Sequence, residues 1–149
     1  MAVEITRLGA GTRYPTAALR KIAETLLRAV KQSRAELSIA LVGDREMRPL
    51  NAKYRKKRTT TDVLSFFIDD QPPAGVPILG DVVISVEQAR RQAQERGKTL
   101  KSEMVTLLIH GILHLLGYDH EKSPRQARIM FAYEQKLYAH LCDRGLLKL

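Results

Sequence analysis

The chain has 149 residues, 44% hydrophobic and 28% charged, and no apolar run near the roughly 18 residues that span a bilayer. That length suits one domain over residues 1–149 with its own core, and the single cysteine, Cys142, excludes an intrachain disulfide. Twenty-five Lys and Arg against sixteen Asp and Glu leave +9, which points to a polyanionic partner; the stretch from Met1 to Gly11 lacks a signal-peptide core, so a cytoplasmic location is expected.

Val3 to Leu8 alternates weakly and reads as a strand. Pro15 and Thr16 open a helix with Leu19, Ile22, Ala23, Leu26, Leu27 and Val30 on one face. Glu36 to Val42 reads as a second strand. Asp44 is placed to cap a short helix running to about Arg55, with Pro49 an awkward member of it. The β-branched and aromatic run Thr61 to Ile68 predicts a third strand, and the prolines and glycine between Asp69 and Pro77 predict a loop. Asp81 to Val86 is a fourth strand, and Glu87 to Arg96 a polar amphipathic helix that Gly97 ends in a left-handed turn. Thr99 caps the next helix, whose apolar face is Met104, Leu107, Leu108, Ile112 and Leu115 and which stops at Gly117. Ser123 and Pro124 start the last helix, with Ala127, Met130, Phe131, Leu137 and Leu141 inward. The order βαβαββααα predicts an α+β fold, a single four-stranded mixed sheet packed with five helices.

Three of the four histidines lie within eleven residues, at His110, His114 and His120. Positions four apart on a helix are offset by only about 40°, so His110 and His114 project side by side. Gly117 lets the chain turn back so that His120 returns to the same point. Three imidazoles form three corners of a tetrahedron, a donor set that zinc favours, and they leave the fourth corner open as catalytic zinc sites do. This places a metal site at the end of a core helix. The spacing is that of the metzincin protease frame, which needs a Glu directly after its first His as general base. Gly111 stands there instead, and glycine takes no proton. His140 is isolated on the last helix and reads as a surface or lightly buried imidazole; Cys142 reads as a small, partly buried apolar residue.

Lys53, Tyr54, Arg55, Lys56, Lys57 and Arg58 put five cations in six residues, followed by Thr59, Thr60, Thr61 and Asp62. Such clusters attract phosphate backbones, and Tyr54 is suited to stack on an unpaired base. The same segment also reads as a solvated helix end whose cations complement the dipole. Beside a zinc hydrolase site, phosphate recognition is the better reading.

Four blocks carry a resemblance. They are Leu50 and Asn51 with Tyr54 and Arg55, then Thr61 to Phe66, then Leu79 to Ser85, then His110 to His120. In this order, across roughly residues 35 to 135, they resemble the YbeY family of bacterial endoribonucleases, also described as rRNA maturation factors. The resemblance implies one zinc ion per chain on His110, His114 and His120, and an essential cleft arginine at Arg55. It implies action on single-stranded RNA in 16S rRNA 3′-end maturation and ribosome quality control, with the small ribosomal subunit as partner. The family usually has an acidic residue and a proline just before its Thr-Asp pair, where this chain has Arg58 and Thr60, which makes the cleft rim more basic.

The mechanism expected from these parts uses zinc as a Lewis acid toward the scissile phosphate or a water molecule, and Arg55 to stabilise charge on the phosphoryl oxygens. Asp119 has two possible roles, orienting an imidazole from behind or capping the Gly117 turn. Two other readings remain at this stage. A zinc peptidase or amidase fits the ligand frame but is opposed by Gly111 and the basic surface. A non-catalytic zinc-containing RNA- or ribosome-binding module would need a fourth protein ligand.

Overall fold

The computed structural model describes residues 3–54, 63–67 and 75–148, without the side chains of residues 53 and 54. The elements follow the order β1 Val3–Leu8, α1 Thr16–Ala29, β2 Glu36–Val42, α2 Asp44–Tyr54, β3 Val63–Phe66, β4 Ile78–Ser85, α3 Val86–Glu95, α4 Leu100–Leu115 and α5 Pro124–Asp143. The strands make one sheet in the order β1-β2-β4-β3. β1 runs parallel to β2 and β2 parallel to β4, whereas β3 is antiparallel to β4. Parallel neighbours need a crossover; α1 supplies the first, and α2 with β3 lies within the second. The mixed α+β architecture expected from the element order is the one observed.

Strand periodicity sorts the sheet's side chains onto two faces. Leu37, Ile39 and Leu41 of β2, Val82 and Ile84 of β4 and Val63 of β3 join the main core with α1, α4 and α5. Val42, Val83 and Leu64 point the other way and pack with Met47 and Leu50 of α2. The main core is built around α4. It contacts α1, α3, α5, β3 and β4, so Val105, Ile109 and Leu113 are buried along with the expected stripe. A helix covered around most of its circumference needs apolar residues well beyond one stripe, which the single expected face understated; the row of Ser102, Thr106, His110 and His114 is half-buried. No helix among the described residues is long and apolar enough to cross a membrane.

Three local expectations need correction. β4 begins at Ile78 and ends at Ser85, and α3 starts without a loop because the Ser85 hydroxyl accepts the Gln88 amide at 3.3 Å. Asp44 is the first residue of α2 and does not cap it from outside. Its amide donates to Glu87 Oε1 at 2.8 Å, while its own carboxylate accepts from Ser85 and Arg91. The Arg91 hydrogen bond holds the Asp44 carboxyl below its usual range. On α5, Met130, Leu137 and Leu141 are buried, but Phe131 is 61% exposed and Ala127 only half-buried. One residue is about 100° around a helix, so Phe131 cannot share Met130's face. The expected extension of α2 to Arg55, the strand ends at Thr61, Asp62 and Ile68, and the loop over 69–74 lie outside the described residues.

Candidate metal centre

The histidines are positioned by how α4 ends. Gly117 has φ +100, which an L side chain rarely adopts. Its amide bonds to the His114 carbonyl at 3.0 Å and the Tyr118 amide to the Leu113 carbonyl at 3.1 Å. This paired arrangement is a Schellman motif, which closes a helix end and reverses the chain. Tyr118 then packs edge-on against Tyr133 of α5, with ring centroids 5.4 Å apart. The Asp119 carboxylate accepts the Glu121 amide at 2.9 Å, a local turn of the kind Asp favours. Between these two turns His120 is carried back beside α4.

The result is a cluster. One ring nitrogen from each of His110, His114 and His120 lies within 4.8 Å of the other two, and all three residues are half-buried. Ring centroids are 5.3 Å apart for His110 and His114, 5.1 Å for His110 and His120, and 5.9 Å for His114 and His120. Nitrogens about 2.1 Å from a tetrahedral ion sit about 3.4 Å from one another, inside the observed bound. Among the described residues, His120 Nδ1 is buried without a hydrogen-bond partner, so this ring keeps a nitrogen that none of them satisfies. Burial, then the nearby His110, push the His114 pKa below its ordinary value; Asp119 opposes them, and His120 adds a smaller lowering. A neutral imidazole is the form that binds metal. The residues therefore fit a divalent transition metal that accepts nitrogen donors.

Glu134, which the sequence reading did not single out, is part of this site. Its Oε2 accepts from His110 Nδ1 at 2.6 Å, from α5 across to α4. The signal was present: Glu134 falls in the buried row of Met130, Leu137 and Leu141, where a carboxylate needs a partner. Asp119, the other carboxylate considered, spends Oδ1 on the turn.

Gly111 has a packing role. A Cβ there would meet Val82 Cγ1 at 2.8 Å and Ser65 Oγ at 3.3 Å. The Ser65 hydroxyl donates to the Gly111 carbonyl at 2.9 Å, so the helix that carries two histidines rests directly on β3 and β4. Position 111 has no space for the glutamate of the peptidase pattern.

Of the basic segment, Lys53 and Tyr54 form the end of α2, their side chains not described, while Arg55, Lys56, Lys57 and Arg58 lie outside the described residues. His140 and Cys142 are half-buried on α5 and belong to no metal-binding group among the described residues.

The sequence model of the family described as Endoribonuclease YbeY matches residues 9–142. A protein named Endoribonuclease YbeY from Persephonella marina is 43% identical over 83% of this chain and 81% of its own length. Another of that name from Geobacter sulfurreducens is 42% identical over 90% of this chain and 93% of its own. The solution structure of a Thermotoga maritima protein is similar at a TM-score of 0.58 and 25% identity, covering 97% of this chain and 94% of that one.

Proposed function

This chain belongs to the YbeY family of endoribonucleases, and on that premise we propose that it is a zinc-dependent endoribonuclease specific for single strands. The observation that carries the reading is the convergence of three half-buried imidazoles within 4.8 Å in a chain of that family. Residues 1–149 form one hydrolase domain, acting in the cytoplasm in 16S rRNA 3′-end maturation and ribosome quality control, with the small subunit as partner.

His110, His114 and His120 hold one zinc ion, which supplies Lewis acidity toward a phosphoryl oxygen or a water molecule. Arg55 presents a planar, two-pronged guanidinium to the oxygens on which charge grows during cleavage. Lys53, Lys56, Lys57 and Arg58 hold neighbouring phosphates, and Tyr54 stacks on an unpaired base. Asp119 acts through the turn that returns His120.

The test pairs elemental analysis with cleavage of an end-labelled single-stranded RNA. Purified protein should carry one zinc per chain and cut the RNA, and His114→Ala should lose both. Full zinc without cleavage under any condition would favour a binding module over an enzyme.

A further inference from the structure

We infer that Glu134 is a positioning residue for the metal centre, fixing the tautomer and orientation of His110 so that its Nε2 faces the other two imidazoles. The inference rests on the proposal that the three histidines hold a metal. It concerns a residue on a different helix, 24 positions along the chain.

A carboxylate only accepts hydrogen bonds. Glu134 Oε2 lies 2.6 Å from His110 Nδ1, so Nδ1 carries the proton and donates it. The lone pair is then on Nε2. The two side chains are 14% and 20% exposed, so water competes little for either. Without this bond, the ring of a helical histidine can flip by half a turn or place its proton on the other nitrogen, and either change presents a poorer donor. The carboxylate also raises the donor strength of the imidazole it touches.

The other two rings lack this support. Among the described residues no carboxylate bonds to His114 or His120, and His120 Nδ1 has no partner at all. His110 is therefore the fixed member of the trio, and its anchor comes from α5. That helix packs on both α1 and α4, and its Met130, Leu137 and Leu141 are buried on either side of Glu134, so the carboxylate is itself held in place. A charged group in that apolar row would lower stability if it had no partner; the imidazole is the partner.

Two measurements test this, neither needing activity. In the metal-free protein, long-range proton–nitrogen correlation spectra should show His110 protonated on Nδ1 with Nε2 bare, and Glu134→Gln should lose that preference. A neutral wild-type His110 protonated on Nε2 in place of Nδ1 overturns the inference. Zinc affinity, by competition with a coloured chelator, should fall about 10- to 100-fold in Glu134→Gln, while the metal-free melting temperature stays close to wild type. Equal affinity in wild type and Glu134→Gln overturns the inference and leaves the three-histidine site standing. So does a melting loss in the variant with unchanged affinity, since Glu134 would then merely pack α5. A wild type that binds no zinc at all overturns both.

Discussion

The two ends of α4 differ in a way that separates space from chemistry. At the C-terminal end, three imidazoles converge within 4.8 Å. At the N-terminal end, where Ser102 stands eight residues and so about 12 Å along the axis before His110, lies a cleft of about 840 Å³ lined by Lys98, Lys101, Tyr138, Leu147 and Lys148 among others. Its hydroxyls are already committed. Ser102 shares a hydrogen bond with Tyr138 at 2.7 Å, Thr99 caps the Ser102 amide at 3.0 Å, and Thr106 donates to the Ser102 carbonyl at 2.8 Å. The histidine end leaves a buried nitrogen unsatisfied, and the helix dipole there favours a bound cation. Convergent imidazoles, one of them with a buried unsatisfied nitrogen, identify the metal end; open volume does not.

Removing one donor is the strongest challenge to this contrast. His114→Ala should strip most of the zinc and reduce cleavage to background, because two imidazoles hold the ion poorly. Elemental analysis that finds full occupancy in this variant would erase the distinction between the two ends. Arg55→Lys comes next: it keeps the charge but not the planar fork, so cleavage should fall by roughly 10²- to 10³-fold with zinc content and RNA affinity near wild type. A normal rate at saturating RNA would return Arg55 to the ranks of the binding residues.

Gly111→Ala probes the floor of the metal site. Alanine is ordinarily favoured over glycine inside a helix by about 1 kcal/mol. Here the new methyl would sit 2.8 Å from Val82 Cγ1, a stiff β-branched neighbour, and overpacking costs about 1–3 kcal/mol. The clash should win, and thermal unfolding should show a less stable protein; a raised melting temperature would mean that the contact is soft. The smallest effect should appear in salt dependence. Replacing Lys53 and Lys57 by Gln should flatten the slope of log affinity for single-stranded RNA against log salt by roughly 0.7 per lost phosphate contact. The matching pair Lys98→Gln and Lys101→Gln in the large cleft should leave the slope unchanged, and an equal effect from both pairs would place the RNA path over both ends of α4.

Much of this could be read from the chain alone, and the reasons are local. Helical spacing put His110 beside His114, a glycine marked the reversal before His120, and Thr99 and Ser123 capped the helices expected of them. What escaped depends on contacts between distant segments. Glu134 is legible as a charge in an apolar row, but nothing in that row says that it meets His110. Gly111 reads as a missing base, whereas its packing against Val82 and Ser65 belongs to the tertiary structure. Likewise Phe131 looks like core by composition, and only its angular offset from Met130 puts it outside.

Gly111 also limits where this site can go in evolution. The ligand frame is that of a large peptidase group, and one codon change turns glycine into glutamate. Here shape opposes the step: the first carbon of the new side chain would already meet Val82 Cγ1 at 2.8 Å, so the helix or the strand beneath it would have to give. The packing that seats α4 on the sheet thus also disfavours, at position 111, the base that the peptidase frame uses.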